Sequence, residues 1–241
     1  MSVQVEAKPL YFAWVNKPLT VQPDTWKLNI SFFTSFSKDG TKHFGLTRAP
    51  ISYSSRSGLS IYRGFKGGEF FAGLSSIFST NRLKNAQVPG SWPDMSSKDA
   101  FYVIDVGMGY QLFPCMALKG TISWGLTDFT RTGTAFSLEL PFKVILFPGM
   151  LNIHGFAGTL LGTQDHTTDI GGAVGFTFSL LPEILLSQDV VVNLGVQPKR
   201  GLTSSYVTSL GYAFERGIDL MISYSYSNQR HGLYLGTSVY F

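Results

Sequence analysis

The stretch Gly232-Leu-Tyr-Leu-Gly-Thr-Ser-Val-Tyr-Phe241 alternates in side-chain character without a break. Every second position from Leu233 to Phe241 is apolar or threonine, and the positions between them are Tyr, Gly or Ser. Because successive side chains of a β-strand point to opposite faces, the stretch predicts a strand with one apolar face. Termini of soluble proteins are usually frayed and polar, whereas the last strand of a barrel in lipid must leave no edge unpaired. The stretch therefore predicts the closing strand of a membrane barrel.

The overall composition favours a membrane barrel over a helical membrane protein. The 241 residues include 20 Phe, 11 Tyr, 4 Trp and 26 Gly, and only 14% are charged, against about a quarter in soluble domains. Mean hydropathy is nevertheless only +0.12, and no run approaches the roughly 18 consecutive apolar residues of a spanning helix. A barrel reconciles these values, because every second residue faces lipid and the others face the interior.

Twelve alternating segments of membrane-crossing length recur along the chain. The clearest runs from Tyr102 to Leu112, with apolar side chains on one face and Asp105, Gly107 and Gly109 on the other. Pro141 lies inside the sixth segment, where its missing N–H predicts a bulge or a local edge. With the C-terminal stretch as the twelfth, the predicted strands lie at or near 26–36, 51–64, 69–79, 102–112, 116–126, 134–145, 151–159, 170–180, 189–197, 204–214 and 218–227.

A soluble β-sandwich or lipocalin-like barrel also alternates and also has regular turn signals. Such a protein would turn its bulky face inward and cover its outside with Lys and Glu. Here the faces opposite the bulky ones are mostly Gly, Ser, Thr and Asn. The sequence thus predicts an all-β protein, a closed antiparallel transmembrane β-barrel of twelve strands over residues 26–241, with a separate segment over residues 1–25.

The connections alternate between short turns and more polar loops, as in outer-membrane barrels. Short turns are predicted at 66–68, 113–115, 147–149 and 215–217, with a longer one at 182–188, and loops at 37–50, 80–100, 127–133, 160–169, 198–203 and 228–231. An even strand count then puts both termini on the periplasmic side. The loops hold ten basic and six acidic residues, and this difference of +4 equals the net charge of the whole chain. A basic rim suits lipopolysaccharide phosphates and anions, although loops also collect charge simply because they are exposed.

Residues 1–25 do not fit as a membrane strand. Met1–Glu6 has neither the basic start nor the apolar core of a secretory signal, so we expect a mature form whose signal peptide is absent. Tyr11, Phe12 and Trp14 lie in an apolar run before Pro18. This run predicts either a plug in the lumen or a periplasmic arm packed on the rim, where it could also bind a partner.

Seven charged or titratable side chains are predicted to face the lumen: Arg56, Asp105, Lys119, Glu139, Lys143, His154 and Asp219. Lys119 and Lys143 lie near the periplasmic ends of adjacent strands, with Glu139 a step or two above them. Such a cluster can form a charged constriction that selects permeants by sign. The alternative is that opposite charges pair to satisfy one another in a narrow interior.

The sequence offers little support for catalysis, cofactors, metals or nucleic acid. It has four histidines and no G-x-S-x-G motif, and Asp165 and His166 are sequence neighbours that seldom face each other. No Cys, His or carboxylate spacing indicates a metal site, and the basic residues are scattered in spite of a pI of 9.1. We therefore expect no enzyme activity, no cofactor, no metal and no nucleic-acid partner.

The chain resembles small bacterial outer-membrane β-barrels, including porins and small-molecule transporters. The resemblance rests on Gly236, Val239 and Phe241, which match the C-terminal barrel-assembly signal, and on the lead-in over 17–26 and hairpins such as 210–222. It implies a location in the bacterial outer membrane, contact with lipid and lipopolysaccharide, insertion by the barrel-assembly machinery, and passage of a small-molecule permeant. It transfers no active-site residues.

Two functions follow as hypotheses. The first is a channel for passive diffusion of small solutes that favours anions. The second is a non-conducting barrel that serves as an anchor or subunit of an envelope protein complex, through its N-terminal segment or its loops. Current across a bilayer distinguishes them.

Overall fold

The structure, a computed structural model, describes residues 17–38, 51–80, 101–127, 130–162, 168–197, 201–214, 217–227 and 230–241. Within these residues the chain forms twelve strands: β1 (Trp26–Lys38), β2 (Ile51–Phe65), β3 (Gly68–Thr80), β4 (Phe101–Phe113), β5 (Met116–Thr127), β6 (Thr130–Phe147), β7 (Leu151–Gly162), β8 (Thr168–Ser179), β9 (Ile184–Gln197), β10 (Gly201–Phe214), β11 (Ile218–Ser227) and β12 (Arg230–Tyr240). Each strand pairs antiparallel with its sequence neighbours, and β1 pairs with β12. The predicted closed barrel of twelve strands is confirmed.

The barrel closes where the start of β1 meets the end of β12. The Trp26 N–H donates to the Phe241 carbonyl at 2.7 Å, and the Phe241 N–H donates to the Trp26 carbonyl at 3.0 Å. From there the ladder continues from Lys27 opposite Tyr240 to Ser37 opposite Arg230. No sheet edge is therefore left between the first strand and the last, as a barrel in lipid requires.

The two ends of the barrel carry different connections. At the turn end, strands are joined by 66–67, 114–115, 148–150, 180–183 and 215–217, and residues 17–25 lead into β1. At the loop end the connections are 39–50, 81–100, 128–129, 163–167, 198–200 and 228–229. Three of these loops have only two or three residues, because β6, β10 and β12 begin earlier than predicted.

One local prediction needs correction, and the structure decides between the two alternatives of another. Strand β9 begins at Ile184, so the predicted turn over 182–188 is too long. Pro141 lies opposite Phe156 without a register shift, and the irregularity between β5 and β6 occurs instead at Gly125. Of the two alternatives predicted at Pro141, the bulge is absent and a local edge toward β5 is present. The β5–β6 ladder simply has no pair there, since proline has no N–H to donate.

Large apolar side chains cover the outside of the barrel. Ile30, Leu59, Leu74, Val174 and Leu210 each expose about half of their surface. Even the ten-residue β11 extends over roughly 33 Å, enough to cross a bilayer at a tilt. Aromatic residues gather at the turn end, as in the girdles of outer-membrane barrels: Trp26, Phe70, Tyr110, Phe113, Phe147, Tyr212, Phe214 and Phe241. The described residues contain no helix long and apolar enough to span a membrane, a finding that concerns helices alone.

Candidate functional site: a charged lumen crossed by an N-terminal strap

Residues 17–25, named here the N-terminal strap, lie inside the turn end of the barrel. Lys17 lies between opposite walls, since its ammonium bonds Asp219 of β11 and its carbonyl accepts a hydrogen bond from Lys143 of β6. Thr20 then approaches Gln111 of β4, with 3.5 Å between the side-chain oxygens. Thr20 and Val21 are both buried, at 8% exposure. The strap therefore crosses the lumen before it enters β1.

Glu69 of β3 holds the middle of the strap. Its carboxylate accepts from the Val21 backbone N–H at 2.6 Å and from Lys119 Nζ at 2.6 Å. Glu69 is only 2% exposed. A buried carboxylate needs both a charge partner and hydrogen bonds, and the strap supplies one of the two donors. The strap is thus part of what satisfies the barrel interior.

Asp219 holds the start of the strap. It is buried at 6% exposure and pairs with Lys17. The Lys17 ammonium also lies 5.0 Å from the centre of the Tyr240 ring. Burial lowers the pKa of Lys17, and the neighbouring Asp219 carboxylate opposes that shift. The ion pair therefore holds the Lys17 side chain in place and stabilises the charged form, which burial alone would disfavour.

The end of the strap packs against the backbone of β2. The Gly64 N–H donates to the Thr25 carbonyl at 2.9 Å, and the Asp24 N–H donates to the Gly64 carbonyl at 3.2 Å. A Cβ on Gly64 would lie 1.8 Å from the Gln22 carbonyl oxygen, so only glycine allows this approach. Asp24 has a positive φ of 60° and pairs with Arg63 at 3.2 Å. The turn into β1 is therefore closely fitted to the wall.

Beyond the strap, toward the loop end, the lumen opens into a cavity of about 660 Å³ bounded by residues of nine strands. Arg56 Nη2 lies 3.8 Å from Asp105 Oδ2 and donates to Ser75 Oγ at 3.1 Å. The carboxylates of Glu139 and Asp169 also line this cavity. Neither forms a hydrogen bond or ion pair within the described part of the chain. Among the described residues, the cavity is therefore lined by one arginine and three carboxylates.

His154 belongs to a separate polar group on the wall. His154 Nε2 lies 2.7 Å from Asp189 Oδ1, and its Nδ1 lies 3.0 Å from Asn152 Oδ1. Ser187 Oγ donates to Asp189 Oδ2 at 3.0 Å. These contacts link β7 and β9 across the small residue Gly175 of β8. The group satisfies its own polar atoms, which suits a structural role.

The seven lumen residues predicted from sequence are distributed between these features. Lys119, Lys143 and Asp219 lie at the strap, Arg56, Asp105 and Glu139 line the large cavity, and His154 lies on the wall. Glu139 is the backbone partner of Lys119, yet the Lys119 ammonium bonds Glu69 instead. The suggested plug residues Tyr11, Phe12 and Trp14 lie outside the described residues, as do most of the basic loop residues.

The sequence reasoning missed Glu69, Lys17 and Lys27 as lumen residues. Glu69 is the second residue of β3 and is followed by two bulky residues, Phe70 and Phe71, so alternation alone does not assign its face. Lys17 lies before the first strand and has no periodicity to read. Lys27 could have been found, because it alternates with the outward-facing Trp26 and Leu28. The described residues contain no cluster of three or more His, Cys, Asp or Glu arranged to bind a metal.

Comparison with known proteins places the fold. No protein-family model matches the sequence, and no curated protein matches it. Among solved structures, an outer membrane channel from Pseudomonas putida F1 superposes with a TM-score of 0.61 at 9% identity, covering 92% of this chain and 97% of that one. The NanC porin gives 0.57 at 12% identity, with 88% and 98% coverage. The chain has the fold of small bacterial outer-membrane β-barrels.

The same fold also occurs in proteins that are not named as porins. The translocator domain of the autotransporter NalP from Neisseria meningitidis superposes with a TM-score of 0.58 at 13% identity, covering 89% of this chain and 87% of that one. Identities this low show the fold alone. The function of the barrel therefore depends on the residues of its lumen, which the fold does not specify.

Proposed function

We propose that this protein is a channel of the bacterial outer membrane for passive diffusion of small solutes. The observation that carries the proposal is the 660 Å³ cavity inside a closed barrel. Its lining combines four charged residues with small polar residues, glycines and three apolar side chains: Arg56, Asp105, Glu139 and Asp169 are charged, and Phe71, Phe156 and Leu160 are apolar. Unpaired carboxylates inside a barrel are costly unless water reaches them. A wet, charged lumen within an apolar exterior is the arrangement of a diffusion channel.

The N-terminal strap narrows this channel at its turn end. Its backbone crosses the lumen between β6, β11, β4 and β3, held by Glu69 and Asp219. A cavity of about 150 Å³ remains between the strap and the wall. We propose that this is the constriction, and that residues 1–25 act as a lumen plug whose strap segment limits the size of the permeant.

The proposed preference for anions rests on the charges at the constriction. Among the described residues, four lysines (Lys17, Lys27, Lys119 and Lys143) face two carboxylates (Glu69 and Asp219) there. The large cavity has the opposite balance. Because the narrowest region of a pore dominates selectivity, the lysines of the constriction favour anions.

Release of solutes from liposomes tests the proposal. Refolded barrel in liposomes loaded with a radiolabelled series of neutral, anionic and cationic solutes of increasing size should release small ones, the anions fastest. Heat-modifiable migration on gels shows that the barrel is folded. A folded barrel that releases none of the series would contradict the channel.

The strap also supports a second function, a non-conducting barrel that anchors an envelope complex. In that case the strap seals the lumen permanently and residues before it reach a protein partner. Barrels lacking residues 1–22 would then release solutes while the full chain would not. Cross-linking of the full chain in cells should capture a partner that the truncated barrel loses.

A further inference from the structure

Lys27 lies at the constriction. It is the second residue of β1, and it faces the lumen opposite Tyr240 of β12 and Tyr62 of β2. Its ammonium lies 5.2 Å from the centre of the Tyr62 ring and 5.6 Å from that of the Tyr240 ring. Within the described part of the chain it forms no ion pair and no side-chain hydrogen bond.

The other lysines of the constriction are differently placed. Lys17 pairs with Asp219, Lys119 pairs with Glu69 at 2.6 Å, and Lys143 donates to the Lys17 carbonyl. The two carboxylates of the constriction are thus already engaged. Ring faces attract an ammonium but accept hydrogen bonds poorly, so they hold Lys27 in place without satisfying its three donors.

The space next to Lys27 is small and enclosed on several sides. The 150 Å³ cavity is lined by Lys17, Lys27, Lys119, Tyr62 and Tyr240 and by strap residues up to Gln22. At about 30 Å³ per water molecule, this volume holds roughly five waters or one small organic group. Three ammonium groups and the tyrosine side chains of Tyr62 and Tyr240 surround it, while Glu69 is its single carboxylate lining residue among those described.

We propose that Lys27 is the centre of a binding subsite for the carboxylate group of a small organic anion. A carboxylate in the cavity would accept a charge-assisted hydrogen bond from the Lys27 ammonium, which has no side-chain acceptor among the described residues. The tyrosine rings hold the ammonium and pack against the carbon part of the ligand, and the strap forms the opposite wall. This inference rests on the proposed channel function and names the residue that an anion meets inside the constriction.

A titration read at the two tyrosines tests the subsite without any current or flux. Folded barrel in detergent micelles carries ring-labelled tyrosine, and the Tyr62 and Tyr240 resonances, assigned with Y62F and Y240F, are followed as sodium acetate is added. We expect saturable shifts of both. Sodium chloride at equal ionic strength should give only small, unsaturated shifts. Equal saturation by chloride would overturn the assignment to carboxylates.

Lys27→Met removes the charge and keeps the length of the side chain. It should weaken acetate binding by about tenfold or more, the loss expected for one charge-assisted hydrogen bond. Lys27→Arg should retain binding. Lys66→Met is the matched control, because Lys66 is exposed in the turn between β2 and β3. Unchanged binding in K27M would overturn the proposal.

The wild-type titration decides the matter even if K27M does not fold. Absence of any saturable shift at Tyr62 and Tyr240 overturns the subsite. Binding with no solute release from liposomes would leave the subsite standing and reject the channel, so the two proposals fail separately.

Discussion

At the scale of single residues, Glu69 connects the strap to the wall. It accepts one hydrogen bond from each, both at 2.6 Å, and is almost fully buried. Removing its charge leaves Lys119 without its carboxylate and weakens the bond to Val21. Glu69 therefore couples the docking of the strap to the stability of the barrel.

We expect Glu69→Gln to lower the free energy of unfolding by about 1.5–3 kcal/mol, the range for hydrogen bonds to charged groups. The free energy of unfolding is measured by urea unfolding of the barrel in lipid, monitored by tryptophan fluorescence. Asp24→Asn is the control, because the Asp24–Arg63 pair is highly exposed and should contribute less than about 1 kcal/mol. Equal unfolding midpoints for E69Q and wild type would contradict the role of Glu69.

The sequence indicated part of this site and could not indicate the rest. Alternation assigns Lys119 and Asp219 to the interior because each lies within a regular strand. It cannot predict that Lys119 pairs with Glu69 rather than with Glu139, its direct cross-strand neighbour. That choice depends on Gly109 of β4, which lies between Glu69 and Lys119 in the register and leaves room for their side chains to meet over it. A period of two reports the face of a residue and not its partner.

At the scale of elements, the strands were largely predictable and their ends were not. Strand β11 was predicted over 218–227 and lies there. Strand β9 was predicted to start near Asp189 and starts at Ile184. The early part reads Ile184-Leu-Leu186, where alternation is lost because Leu185 fills the interior against Gly211 at 4% exposure. Where the interior-facing residues are also apolar, the alternation of apolar and polar residues that identifies a strand is lost.

The C-terminal strand makes a prediction about assembly. Phe241 exposes 62% of its surface, so its ring contributes little to the folded barrel. If Gly236, Val239 and Phe241 form an assembly signal, Phe241→Ala should lower the amount inserted in the outer membrane several-fold in cells and leave refolding into detergent unchanged. Phe113→Ala, with a ring 58% exposed in the same girdle, is the control. Equal insertion of F241A and F113A would reject the signal.

At the scale of the whole molecule, the lumen carries two zones of opposite charge in series. Within the part of the chain that the structure describes, the constriction holds four lysines and two carboxylates, and the large cavity holds Arg56 with Asp105, Glu139 and Asp169. The bulk composition gave only a net charge of +4 and could not reveal this separation. The fold produces it by bringing distant strands to the same level of the barrel.

The two zones predict opposite effects on ion selectivity. Lys119→Glu with Lys143→Glu should shift the reversal potential in a salt gradient toward cations. Glu139→Gln with Asp169→Asn should shift it toward anions, by less, because the cavity is wider than the constriction. Lys66→Glu, outside the lumen, should change neither. The same shift from both pairs would contradict a charge-separated lumen.

The most direct test of a channel constricted by the strap is its conductance in planar bilayers. The measurement compares the full chain with a form lacking residues 1–16 and a form lacking residues 1–22. We expect a small, anion-biased conductance for the full chain. The form lacking residues 1–22 loses most of the strap and should conduct several-fold more than the form lacking residues 1–16, which keeps the strap. The barrel itself should still form, because its ladder begins only at Trp26. Equal conductance of the two truncated forms would show that the strap does not restrict the lumen, and no conductance from any folded form would reject the channel.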